Sequence, residues 1–199
     1  AEQVFPGDGG GFVTRRVPEN VYNALETDDA RRMCRISTGI ELRFVMLGDE
    51  AELKIKTLGG IGGYQIFHGS IQGAWFESGF ITEESGEIVI KKPENLKTLE
   101  KIAKKFKQPF SADVVRVIIH ASEFEILGLD GDVRPPKPEE LPKKMLFAYG
   151  SSITQGGCAS RPGNSYQALI SRRFNVDYYN FGFSGSARGE LIMAEYISG

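Results

Sequence analysis

Two adjacent serines, Ser151 and Ser152, stand in the stretch Phe147-Ala148-Tyr149-Gly150-Ser151-Ser152-Ile153-Thr154-Gln155-Gly156. A turn of small residues directly after a short apolar run puts side chains at the carboxyl edge of a sheet, where open α/β folds bind ligands. A serine there can act as a nucleophile if a base takes its proton and backbone N–H groups face the developing oxyanion. Gly150 lets the chain turn sharply, and Gly156 with Gly157 lets a ligand approach the loop. The plain reading is an ordinary strand-to-helix connection rich in Gly and Ser, and on this segment alone the two readings stand level. The segment is not the nucleophile elbow of the α/β-hydrolases, which needs glycine two residues after the serine, where Thr154 stands.

The elements around this loop must position it. Met145 to Tyr149 reads as a parallel strand buried on both faces, because no polar residue alternates with the apolar ones. A helix is expected from about Asn164 to Phe174, with Tyr166, Leu169, Ile170 and Phe174 on its packed side and Asn164 with Gln167 as a capping box. A second strand, Val176 to Phe183, ends in Asn180-Phe181-Gly182-Phe183-Ser184-Gly185, and a further helix is expected near Gly189. Strand, helix, strand in this order implies a parallel α/β sheet.

The first two-thirds of the chain reads as β. Ile40, Leu42, Phe44 and Met46 share one face at a period of two, Gly48-Asp49 suits a tight hairpin turn, and Glu52 to Lys56 alternates again. Further strands are expected at Tyr64 to His68, Gly86 to Ile90, Val114 to His120 and Phe124 to Leu129. Together they imply an antiparallel, jelly-roll-like β-sandwich over residues 1–133. One helix interrupts it, from Pro93 to Phe106, with Leu96, Leu99, Ala103 and Phe106 at helical spacing. Six lysines lie between Lys91 and Lys105; a surface for an anionic ligand is weighed against a solvated helix face, and the interrupting glutamates favour the latter. Four prolines from Arg134 to Lys144 predict an extended linker that excludes helix and ladder pairing, so the domain boundary falls at 134–144, before an incomplete α/β domain at 145–199. Gly59 to Gly63 reads as a flexible loop, Asp130-Gly131-Asp132 as a hairpin turn, and Trp75-Phe76 as core aromatics before a sugar-stacking platform.

Bulk properties exclude several classes. The 199 residues carry 24 basic against 26 acidic side chains and a formal net charge of -2, which gives no basic footprint for nucleic acid. No apolar run approaches the roughly 20 residues of a membrane helix. Cys34 and Cys158 are expected to be unpaired thiols. No cofactor or metal is implied. The opening Ala-Glu-Gln reads as a processed or trimmed terminus, which leaves cytoplasm and secretion with a leader removed both open.

Gly150-Ser-Ser-Ile-Thr-Gln-Gly156 resembles the first sequence block of the SGNH (GDSL-type) hydrolases, and Asn180 to Gly185 resembles their second. The blocks stand in the family's order, each at the tip of its own strand. The resemblance implies a serine ester hydrolase with Ser152 as nucleophile and as one oxyanion N–H, and Gly185 as the second oxyanion N–H. Ser151 stands where many relatives have Asp. The N-terminal β-sandwich resembles the accessory domain of two-domain carbohydrate-esterase-like members, so acetyl or other short acyl esters, including acylated carbohydrate, are the implied substrates. The family's Asn block and its Asp-x-x-His are not among these residues. The only histidines, His68 and His120, belong to the β region and read as structural or solvent-facing. The chain is therefore expected to be part of a longer enzyme and to be almost inactive alone. The rival reading is a non-catalytic protein whose β-sandwich binds carbohydrate.

Overall fold

The computed structural model describes residues 3–72, 77–82 and 86–199; Trp75-Phe76 lies outside them. The chain opens with β1 (Gln3–Pro6), β2 (Phe12–Arg15), α1 (Glu19–Ala24) and α2 (Asp28–Arg35). Then come β3 (Thr38–Thr57), β4 (Gly62–His68), β5 (Ser78–Ile81), β6 (Gly86–Lys91), α3 (Leu96–Lys105), β7 (Val114–His120) and β8 (Phe124–Arg134). The last quarter holds β9 (Met145–Gly150), α4 (Ser152–Gln155), α5 (Tyr166–Phe174), β10 (Asp177–Gly182) and α6 (Leu191–Ser198).

The first eight strands form one antiparallel sheet in the order β1-β2-β8-β3-β7-β4-β5, with β6 also paired to β3. The long strand β3 organises it. Its first half pairs with β7 and its second half with β6, while β8 runs along the opposite edge. Ile40, Phe44 and Met46 from the first half share an apolar core with Leu53 and Ile55 from the second, joined by Ile66, Ile88, Val117 and Phe124. Burial of such side chains is worth about 1.5–3 kcal/mol each and holds the sheet together.

Two turn expectations fail here for the same reason. Gly48-Asp49 does not close a hairpin, and Asp130-Gly131-Asp132 does not either; both lie inside strands. The register of β3 against β8 jumps from Met46↔Val133 to Ala51↔Gly131, so four residues of β3 oppose one of β8. This irregularity moves the inward set from even to odd positions, a phase change that alternation alone reads as a turn. Gly131 adopts φ 126, with the strand opposite, at Glu50 and Ala51, packed against it.

The helix near Leu96 is present, but it buries Leu99 while Phe106 is exposed, and Lys97, Lys101, Lys104 and Lys105 face solvent. The reading of this region as β with a single helix is corrected by α1 and α2. Thr27 Oγ1 accepts from Ala30 N–H at 3.2 Å to cap α2, and Asp28 and Asp29 sit in its first turn, Arg32 and Arg35 in its last. These helices pack away from the sheet core, with Val17, Val21, Leu25 and Met33 against Phe181, Phe183 and Met193 of the C-terminal segment. Buried Arg16 ties the same junction: it donates to the carbonyls of Asn180 at 3.1 Å, Gly182 at 2.7 Å and Met33.

The proline-rich stretch also departs from expectation. Arg134 is paired in the ladder with Val45, and Pro138–Glu140 makes a turn of 3-10 helix. Proline is tolerated at the start of a helix, where its missing N–H has no partner to lose. Glu140 pins the turn, accepting from Arg134 at 2.6 and 2.8 Å and from Lys137 N–H at 2.6 Å.

β9 and β10 form the expected parallel pair, from Asp177↔Met145 to Gly182↔Gly150. β9 is not buried on both faces: Ala148 is buried, Leu146 is half-buried, and Met145 and Phe147 are exposed. Among the described residues β10 is its one partner strand. Helix α5 starts after a 3-10 turn at Pro162–Asn164, with Ser165 rather than Asn164 as N-cap and no capping box. Its packed side is Gln167, Ala168 and Ser171; Tyr166, Leu169, Ile170 and Phe174 are exposed.

Candidate functional site

Ser152 opens α4 directly at the carboxyl tip of β9. Glycine is required at both strand tips for α4 to lie there. A Cβ on Gly182 would stand 2.1 Å from Gln155 N and 2.4 Å from its Cα, and one on Gly150 would stand 2.2 Å from Thr154 Oγ1. Gly156, at φ 95, ends the helix with its N–H on the Ser152 and Ile153 carbonyls, both at 3.1 Å.

Hydrogen bonds lock the two loops together. Phe183 N–H donates to Gly150 O and Ser184 N–H to Gln155 Oε1, both at 2.7 Å. Beneath them Gln167 Nε2 donates to Thr154 O at 2.7 Å, while Thr154 Oγ1 and Tyr166 OH lie 3.0 Å apart. Buried Gln167 therefore holds the floor of α4, which is why α5 turns this polar side chain inward. Ser152 itself is exposed, and a residue opening a helix has no intrahelical acceptor for its N–H. Gly185 follows Ser184 at φ 72, with open space where a Cβ would sit.

Ser152 and Ser184 line a cleft of about 170 Å³, and its other walls come from two places. Gln155, Gly156, Gly157, Pro162, Ser165, Tyr178 and Asn180 belong to the C-terminal segment; Ser37, Thr38, Gly39, His120 and Ala121 belong to the N-terminal sheet. The structure thus brings His120 to the cleft of Ser152, whereas His68 lies buried at the end of β4, 3.4 Å from Glu77 Oε1. The imidazole of His120 lies over Gly63, where a Cβ would stand 2.2 Å from Nε2, and burial lowers its pKa. Neutral imidazole is thereby favoured. Burial raises the pKa of Tyr178, which keeps its hydroxyl protonated.

The sheet wall is held by its own contacts. Thr38 Oγ1 donates to Gln155 O, and Gln65 Oε1 accepts from Gly163 N–H at 2.8 Å. Beside the cleft, a second cavity of about 270 Å³ is lined by Arg16, Glu41, Arg43, Asp177 and Tyr178 among others. Arg43 binds both carboxylate oxygens of Asp177, at 2.5 and 2.7 Å, and donates to Glu41 at 2.8 Å. Arg116 donates to the same Glu41 at 2.7 and 2.5 Å. Burial pushes the Glu41 carboxyl up, but Arg116 and Arg43 outweigh it and hold the group at about 2.

Sequence reasoning placed Ser152 and the Ser184-Gly185 turn at neighbouring strand tips but did not place the N-terminal sheet against them. No pattern marks Ser37, Gly39 or Ala121, which act through tertiary packing. Both cysteines are unpaired, Cys34 buried and Cys158 exposed. Among the described residues no three His, Cys, Asp or Glu side chains converge as a metal site, and no helix is long and apolar enough to cross a membrane.

Residues 143–199 match the model of the GDSL-like lipase/acylhydrolase family. No curated protein matches the sequence. Among solved structures, the chain resembles a salicylyl-acyltransferase from a tetracycline biosynthetic pathway, with TM-score 0.73 and 12% identity over 99% of this chain and 54% of that one. It also resembles a protein from Bacteroides ovatus ATCC 8483 described as a GDSL-like lipase, with TM-score 0.59 and 21% identity over 92% of this chain and 54% of that one. A family two carbohydrate esterase from Clostridium thermocellum gives TM-score 0.48 at 21% identity, over 81% and 52%. The first two likenesses show a shared fold, and the chain spans about half the length of those structures.

Proposed function

We propose that this chain, whose C-terminal segment belongs to the GDSL-like lipase/acylhydrolase family, is part of a serine ester hydrolase that works through an acyl-serine intermediate. In this reading Ser152 Oγ attacks the ester carbonyl, the N–H groups of Ser152 and Gly185 stabilise the oxyanion, and a base returns the proton to the leaving alcohol. Water then releases the acyl group by the reverse sequence. Each oxyanion donor is typically worth about 3–4 kcal/mol of barrier. The observation that carries the reading is the exposed Ser152 at the head of α4, facing a cleft it shares with Ser184, next to Gly185. A cleft of about 170 Å³ suits a short acyl group, since a cavity of about 150 Å³ accepts benzene. The antiparallel strands β1 to β8 support the accompanying reading of residues 1–133 as a jelly-roll-like β domain, with acylated carbohydrate among the proposed substrates.

The Asp-x-x-His implied by the resemblance is not in these 199 residues, so the general base is assigned to a longer form of the protein. The test is p-nitrophenyl acetate hydrolysis by the longer protein and by this chain, each with and without Ser152→Ala. The substitution is expected to lower the longer protein's rate by about 10⁴–10⁶-fold. Full activity in that variant refutes the nucleophile. If this chain alone turns over at an enzymatic rate, the base lies within it, and His120→Ala decides whether His120 is that base.

A further inference from the structure

The loop from Phe183 to Glu190 carries Gly185, and one side chain from the neighbouring strand grips both of its ends. Tyr149 stands on β9, three residues before Ser152. Its ring packs on buried Phe183, with centroids 5.9 Å apart and planes tilted by 60°. Its hydroxyl reaches the far end of the loop, donating to Glu190 Oε2 at 2.8 Å and accepting from Gly189 N–H at 2.9 Å. A phenol has one proton to give and lone pairs to receive, so this arrangement uses both. Burial, and then the Glu190 carboxylate, raise the pKa of Tyr149, which keeps the proton on its oxygen. Each end of the loop is anchored. Ser186 N–H donates to Phe183 O at 3.0 Å, closing the turn that holds Gly185 at φ 72. Glu190 is buried and immediately precedes α6, whose Met193 lies in the core with Phe181 and Phe183. Between turn and helix, Arg188 and Gly189 are exposed. Exposed backbone with little packed around it opens easily, so the bonds to Tyr149 limit the movement of this stretch.

We propose that Tyr149, held by Glu190, is a positioning residue that fixes the direction of the Gly185 N–H relative to Ser152 before an ester arrives. The inference rests on the reading of Ser152 as nucleophile and Gly185 as oxyanion donor. A donor lowers the barrier most when it already points at the place where charge develops, and a loop that must first reorganise loses that effect. The strand that presents Ser152 also carries Tyr149, so one element sets both halves of the site. Tyr149 is not among the residues that line the cleft. It therefore acts through the loop and not on the ester.

The test is p-nitrophenyl acetate hydrolysis by the longer protein carrying Tyr149→Phe, Glu190→Ala or Glu190→Gln, with thermal melts to confirm the fold of each. Tyr149→Phe keeps the ring on Phe183 and removes a single oxygen. It is expected to lower kcat by about 10–100-fold, the cost of a misplaced donor, and to leave KM within about twofold. Glu190→Ala is expected to match it, and Glu190→Gln, which keeps an acceptor for the phenol, to recover most of the loss. In this chain alone, where no turnover is needed, Tyr149→Phe is expected to move the amide shifts of Gly185 to Glu190. A kcat within about twofold of the unsubstituted protein, a loss carried by KM instead, or an unmoved Gly185 amide overturns the proposal. So does a Glu190→Gln variant as slow as Glu190→Ala. Ser152→Ala separates the two readings. If it abolishes hydrolysis while Tyr149→Phe does not slow it, only the positioning role falls; if it keeps full activity, the nucleophile itself falls.

Discussion

Glu41→Gln tests how the N-terminal sheet is fastened beside β10. The Glu41 carboxylate accepts three hydrogen bonds from Arg43 and Arg116, and Arg43 carries the link onward to Asp177. Glutamine offers one acceptor oxygen in place of two and turns an NH₂ toward a guanidinium donor. The carboxyl lies at about 2 in the folded protein against an ordinary 4.5, a gap worth about 3 kcal/mol at roughly 1.4 kcal/mol per pH unit. Breaking a buried ion pair by removing one partner costs about 3–5 kcal/mol, so the two routes agree. Because the folded pKa is depressed, this stability is fully present above about pH 4.5 and is lost as pH falls toward about 2. Urea denaturation of both proteins at pH 7 is expected to show the variant about 3 kcal/mol less stable, and the gap is expected to close between pH 4.5 and pH 2. A loss below about 1 kcal/mol at pH 7, or parallel loss of stability by both proteins on acidification, refutes the reasoning.

Gly182→Ala drives a Cβ to within 2.1–2.6 Å of α4 backbone atoms, so it is expected to cost about 1–3 kcal/mol by overpacking and to displace Ser152. Denaturation midpoints and the amide shifts of Ser152 to Gly156 check this. Leu169→Ala and Ile170→Ala are expected to cost under about 1 kcal/mol each, because both side chains are exposed; a loss of 2–5 kcal/mol in urea would place them in a core instead.

The strands that alternation identified, at Tyr64 to His68, Gly86 to Ile90 and Val114 to His120, form because one face of each meets an apolar core while the register stays regular. Alternation misled at Gly48-Asp49 because a hairpin and an irregular register shift the phase in the same way. The α5 face was misread for a different reason. Its larger apolar residues lie on the exposed side, while Gln167 turns inward to bond Thr154 O, and no periodicity of hydrophobicity encodes a polar side chain that supports a loop. Helix α2 was legible in principle: Thr27 followed by Asp28-Asp29, with Arg32 and Arg35 at the far end, is a capped helix with its charges matched to the dipole.

At the site, the two loops were legible because their glycines are needed for close backbone approach. Gly150 and Gly182 admit nothing larger beneath α4, so the geometry leaves its mark in the sequence. Ser37, His120 and Tyr178 leave no such mark. His120 was placed at the end of the expected Val114 to His120 strand, but its relation to Ser152 depends on how the sheet meets the C-terminal segment, which Arg43–Asp177, Thr38–Gln155 and Gln65–Gly163 set between residues 98 to 134 positions apart in the chain. Each of these contacts joins residues whose local surroundings are ordinary strand or loop. The cleft's second wall is therefore a property of that junction: loosening Glu41, Arg43 and Asp177 would move Ser37 and His120 relative to Ser152 without altering any residue of the two loops.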